Sequence, residues 1–213
     1  MTRPHVLVMA KSPVPGRVKT RLCPPCTAEE AASLAEAALA DTLDAVAACG
    51  ASRHILVLDG VPGPWLPPGF QVVPQTAGGL DRRLAAAWAL AGGPGVQIGM
   101  DTPQVTPALL DRALATLDSS DAALGLAVDG GWWAIALRKP DARVFLDVPM
   151  STRRTGARQA ARLAALGLDV VALPTLVDLD TVADLPAVTV GGSAIRTAAQ
   201  ARSLGVLPLP VDA

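Results

Sequence analysis

Four cations crowd one short stretch of this chain. Residues 11–22 read KSPVPGRVKTRL and place Lys11, Arg17, Lys19 and Arg21 within eleven positions. With 18 basic side chains among 213 residues, the stretch is enriched about fourfold in positive charge. Arginine forks and a lysine point charge suit phosphate oxygens. Pro13 and Pro15 stiffen the loop, and Gly16 lets its backbone come close to a ligand. The same residues also suit a solvated basic loop, and taken alone they leave both readings open. Neither G-x-G-x-x-G nor G-x-x-x-x-G-K-[ST] is present, so the dinucleotide fingerprint and the Walker loop are excluded.

Acidic residues recur in three further segments. Asp101 in GMDTP (99–103) offers a hard oxygen ligand for Mg²⁺ or Mn²⁺, or else caps a turn. Asp129 in VDGGWW (128–133) begins an Asp-Gly pair, a strong tight-turn signal. It is also a carboxylate free to bind a hydroxyl, a metal or an acceptor's proton, with Gly130 and Gly131 leaving room for a ligand over the backbone. In VDLDTVADL (177–185), Asp178 and Asp180 precede Thr181, which is suited to cap a short helix containing Asp184; a second metal ligand is the sharper reading. CPPC (23–26) has the spacing of a redox motif or half a zinc site. It lacks a second Cys/His pair and follows a loop, which points to incidental cysteines.

The elements that must position these groups follow from periodicity. Apolar runs at 5–10, 54–59, 70–74, 95–100, 122–127, 132–137 and 168–173 read as buried strands. Helices lie between them. One runs from a Thr27/Glu30 capping box to Gly50, a second spans 80–91, a third is capped by Thr106 with Pro107 following, and a fourth starts at Ser151 or Thr152 and ends at Gly167. Strand and helix in alternation predict a Rossmann-like three-layer α/β/α sandwich with a mostly parallel sheet, in which ligands bind outside the carboxyl ends of the strands. The cationic loop follows the first strand and Asp101 follows the fourth, so both belong to that edge.

AKSPVPGRVKTRL, GMDTP, VDGGWW, VPMST and VDLDTVADL together resemble, in order and spacing, a bacterial glycosyltransferase-like family. That family lies within the GT-A, or nucleotide-diphospho-sugar transferase, superfamily, and its members are sometimes labelled arsenosugar biosynthesis glycosyltransferases. The resemblance spans residues 4–186. It implies a site for a nucleotide sugar or nucleoside triphosphate, with phosphate contacts from Lys11, Gly16, Arg17, Lys19 and Arg21 and further nucleotide contacts from Gln75 and Gly79. It further implies a divalent cation, Mg²⁺ or Mn²⁺, on Asp101 and Asp180, and an acceptor side formed by Gly130, Gly131, Trp132, Ser151 and Thr152. Asp129 and Lys19 would take part in the chemistry. The expected activity is glycosyl transfer from a nucleotide sugar. Nucleotidyl transfer with pyrophosphate release is the alternative, and a non-catalytic nucleotide-binding protein the third reading. The sequence departs from the family pattern at Asp81 (usually Gly), Arg82 (an acid), Trp132 and Trp133 (tyrosines) and Met150 (a tryptophan).

The remaining expectations are coarser. Residues 1–186 read as the transferase domain and 187–213 as a C-terminal tail on the same domain. A formal net charge of −1 gives no global field for nucleic acid or an anionic membrane, which leaves small molecules as partners. Only about six apolar residues precede Lys11, too few for a secretory or membrane segment. Three cysteines fit a reducing compartment, and a soluble cytoplasmic protein is expected.

Overall fold

The computed structural model describes residues 3–208. Strands β1 (His5–Lys11), β2 (Arg53–Asp59), β3 (Phe70–Pro74), β4 (Gly95–Ile98), β5 (Ala122–Ala127), β6 (Trp132–Leu137) and β7 (Val170–Leu176) form one sheet in the order β3-β2-β1-β4-β6-β5-β7. Every neighbouring pair is parallel except those involving β6, which runs antiparallel to both β4 and β5. The exception follows from Asp129-Gly130. This turn joins β5 to β6 directly, and a short turn cannot return a strand in parallel. The expected mostly parallel sheet is present.

Helices α1 (Ala28–Ala47), α2 (Leu80–Ala91), α3 (Pro107–Ala115), α4 (Thr155–Ala165), α5 (Leu185–Thr189) and α6 (Ile195–Ser203) cover the sheet. Thr27 and Glu30 close a reciprocal capping box at the start of α1, and Thr106 with Pro107 starts α3 as its sequence requires. The alternating side chains of β1 divide the core. Val6 and Val8 face a layer with Leu39, Leu43 and Leu110, while Leu7 and Met9 face one with Leu84, Trp88 and Phe145.

Some boundaries differ from those expected. Helix α4 begins at Thr155, because Ser151 takes a left-handed φ of 58° and Thr152 turns onto Thr155 through its backbone N–H. Helix α1 ends at Ala47, three residues before Gly50, with Ala48 closing its last turn. Strand β4 stops at Ile98 and β7 runs on to Leu176.

The segment expected as a tail crosses α5 and includes α6, whose first turn is tied to α1. Asp41 on α1 is buried and accepts the backbone N–H groups of Arg196 and Thr197. Residues 209–213 of that segment lie outside the described residues. Among the described residues, no helix is long and apolar enough to cross a membrane.

Candidate functional site

A cleft of about 1110 Å³ opens at the carboxyl edge of the sheet. That volume suits a nucleotide-sized ligand together with a small second molecule. Its floor comes from the ends of β1 and β4, and the segments following β1, β5 and β7 form its walls.

The loop after β1 folds into a single helical turn, Thr20–Leu22, entered through Lys19 at a left-handed φ of 48°. This geometry turns the Lys19 side chain inward. Its ammonium pairs with Asp101 and donates to the carbonyl of Leu179, and the nearest Asp180 oxygen lies 3.9 Å away. Asp101 is held in the same place by backbone, since its carbonyl accepts the N–H of Leu179 at 2.7 Å. Arg21 reaches Asp180 from the solvent side at 3.0 Å, and with its side chain 71% exposed this outer pair is much the weaker contact. Asp184 accepts from Thr181, so the short helix after β7 is capped as its sequence suggests, while the cap leaves Asp178 and Asp180 facing the cleft.

Asp178 also faces this cleft, beside Asp180. One of its carboxyl oxygens is sealed from solvent without a hydrogen-bond partner, and burial pushes its carboxyl up to about 7, with the nearby Asp101 and Asp129 adding to the shift.

The opposite wall is built by two turns locked together. Asp129 accepts the N–H of Gly131 at 2.7 Å, so it is at once a turn former and a carboxylate at the cleft; the two readings of Asp-Gly are compatible. Gly130 has φ 91°, and a Cβ there would lie 2.0 Å from the carbonyl oxygen of Arg153. Gly156 then donates its N–H to the Gly130 carbonyl at 2.8 Å. Only glycine permits this approach. The clip brings Ser151, Thr152 and Arg153 into the same wall as Asp129, Gly131 and Trp132.

Lys11, Arg17, Lys19, Arg21, Gln75, Asp101, Asp129, Gly130, Gly131, Trp132, Ser151, Thr152 and Asp180 all line the cleft, whereas Gly16 and Gly79 do not. Gly16 shapes the loop with φ 73°, and Gly79 precedes the first turn of α2. Gln75 lines the cleft with its amide already engaged. Its nitrogen donates to the carbonyls of Ala10 and Val57, and its oxygen accepts from Arg83. It therefore braces β1 against β2 and positions Arg83, which also lines the cleft. Cys23 is half-buried and Cys26 buried, both as free thiols.

Residues 31–152 match the family model described as an uncharacterized protein conserved in bacteria (DUF2064). The chain belongs to this DUF2064 family. It is 31% identical over 189 residues to the 2-phospho-L-lactate guanylyltransferase of Halomicrobium mukohataei, covering 88% of this chain and 87% of that protein. A crystal structure from Desulfovibrio desulfuricans G20, provisionally described as a nucleotide-diphospho-sugar transferase, is similar over 96% of both chains at 27% identity with a TM-score of 0.86. CMP:2-keto-3-deoxy-manno-octonic acid synthetase, solved with CTP, shares the fold at 10% identity and a TM-score of 0.56, covering 97% of this chain and all (100%) of that one. The expected nucleotide-diphospho-sugar transferase-type fold is thus the fold of this DUF2064 chain.

Two departures in this DUF2064 sequence have structural partners. Trp133 is buried and donates its indole N–H to the Pro174 carbonyl; a Cβ at residue 125 would lie 2.4 Å from that indole nitrogen, so Gly125 makes its room. Asp81 accepts the N–H of Asp147, whose left-handed φ of 61° marks a tight turn. Trp132 and Met150, by contrast, line the cleft.

Proposed function

We propose that this protein is a nucleotidyltransferase that joins the α-phosphate of a nucleoside triphosphate to a small phosphorylated acceptor and releases pyrophosphate. The observation that carries this reading is its 31% identity, across 88% of the chain, with a guanylyltransferase. The cleft adds chemical support, since cations cluster on the loop after β1 and a separate arginine, Arg153, stands on the facing wall.

In this reading Lys11, Arg17 and Lys19 hold the triphosphate and offset charge that builds on the departing pyrophosphate. An acceptor phosphate oxygen forms the new bond to the α-phosphorus as the bond from that phosphorus to the β-bridging oxygen breaks. A phosphate acceptor arrives without a proton to remove, so Asp129 then positions the turn at Gly131; with a hydroxyl acceptor it takes the proton. Arg153 and Ser151 bind the acceptor's anionic group.

Asp101, Asp178 and Asp180 are the residues that would hold a divalent cation. Their hard oxygens suit Mg²⁺ or Mn²⁺, Asp101 and Asp180 already share one positive charge in Lys19, and Asp178 has a sealed oxygen without a partner. As they stand, no three of the described carboxylate, histidine or cysteine side chains form a closed metal cage. Such an ion supplies charge neutralisation on the phosphates when bound.

Glycosyl transfer is the second reading, favoured by the likeness to the nucleotide-diphospho-sugar transferase structure at 27% identity. Thermal melting with GTP, CTP or a nucleotide sugar, each with and without Mg²⁺, separates the two. The proposal expects a triphosphate to raise the melting temperature more than any nucleotide sugar does; the reverse order supports glycosyl transfer, and no shift with any of them refutes both.

A further inference from the structure

Lys19 does more than a lysine waiting for phosphate requires. Lys11 and Arg17 in the same loop are exposed, and neither forms an ion pair with a described carboxylate. The Lys19 side chain is only 6% exposed and is turned into the acidic floor by a left-handed backbone that non-glycine residues seldom adopt. Its ammonium meets Asp101, the Leu179 carbonyl and the edge of Asp180, an all-oxygen set of the kind a hard divalent ion takes.

We infer that Lys19 is a tethered placeholder cation, which fills the nest of Asp101, Leu179 and Asp180 in the nucleotide-free protein and excludes a bare divalent ion from it. The tether makes this exclusion effective, because an ammonium on the same chain competes at an effective concentration on the order of millimolar or above. Without Lys19, the ion pair left to Asp101, Asp178 and Asp180 among the described residues would be that of Arg21 with Asp180, made from the solvent side. The nest opens when Lys19 acquires a better partner. Phosphates seated against Lys11 and Arg17 offer one, so Lys19 couples occupancy of the carboxylates to occupancy of the phosphate site, and each ligand tightens the other by the same factor. The coupling half of this inference rests on the proposed nucleotide site; the exclusion half depends only on the metal.

The test is Mn²⁺ binding to the full chain, followed by the electron paramagnetic resonance of free Mn²⁺, with metal alone and then with a non-hydrolysable GTP or CTP analogue. Wild type is expected to bind Mn²⁺ weakly alone and about tenfold more tightly with an analogue. Lys19→Met is expected to bind Mn²⁺ alone about tenfold more tightly than wild type, with little further gain from the analogue. Lys19→Asn, in which the side chain tolerates a left-handed backbone, should behave likewise and carries the test if the Met variant does not fold. Equal or weaker Mn²⁺ binding by these variants overturns the inference. Tight binding by the variants, with no response of wild type to either analogue, keeps the placeholder and counts against the nucleotide reading.

Discussion

The two ends of the sheet treat polar residues in opposite ways. At the amino end, His5 is wholly buried edge-on to the ring of Trp88; the groups are neutral and packed, and a Cβ on Gly95 would lie 2.4 Å from the His5 ring. At the carboxyl end, Asp101, Asp178, Asp180, Asp129, Lys19 and the arginines Arg17, Arg21, Arg83 and Arg153 share one open cleft, with left-handed backbone at Lys19, Ser151 and Gly130. A protein concerned only with stability would not gather like charges and strained backbone at one edge. The contrast separates what holds the fold from what serves a ligand.

Breaking the charged end should alter activity far more than folding. Asp101→Asn is expected to lower kcat on the order of a thousandfold, about 4 kcal/mol of transition-state stabilisation, while stability changes by less than about 1 kcal/mol. Steady-state rates and urea unfolding on the same preparation check both halves.

The neutral end should show the converse. Burial, with Arg53 second, lowers the His5 imidazole to about 4, so the folded chain resists a proton that the unfolded chain accepts from about pH 6.5 downward. The His5 contribution to stability is therefore full above that pH and falls by up to about 3 kcal/mol as pH drops towards 4, while Asp178, raised to about 7, contributes in the opposite sense over the same range. His5→Leu should flatten this segment of the unfolding profile without changing the pH dependence of the melting shift that nucleotide produces.

The smallest expected effect is the most specific. Arg153→Ala should raise KM for the acceptor about tenfold, roughly 1.4 kcal/mol, and leave KM for the nucleotide within about twofold. Equal weakening of both would place Arg153 on the donor side and erase the division between the two walls.

Much of this arrangement was legible in the chain because local physics determined it. Apolar runs, the Thr27/Glu30 box and Thr106-Pro107 define elements within a few residues, and a strand-helix alternation sends Lys19 and Asp101 to the same edge. What escaped depended on long-range contact. Gln75, expected as a nucleotide contact, lines the cleft, and its bracing bonds to Ala10 and Val57 join residues distant in sequence. Asp178 and Asp180 are indistinguishable by type, and it is in the folded chain, where the segment after β7 is tied to Asp101 through Leu179, that an oxygen of Asp178 is sealed. Arg153 lay in a segment read as a helix start, whereas the clip to Gly130 makes it part of a cleft wall. The balance between the two transfer reactions also shifted, since expectations began with glycosyl transfer and the guanylyltransferase likeness favours nucleotidyl transfer.

The central claim is that the bond broken lies between the α- and β-phosphates. Incubation of the protein and Mg²⁺ with GTP or CTP labelled at the α-phosphate, and a panel of small phosphorylated acceptors, follows that bond directly. The account predicts that label moves onto the acceptor with one equivalent of pyrophosphate released, and that Asp101→Asn slows both on the order of a thousandfold. Label that stays with nucleotide throughout, while a nucleotide sugar yields nucleoside diphosphate and a glycosylated acceptor under the same conditions, would contradict it.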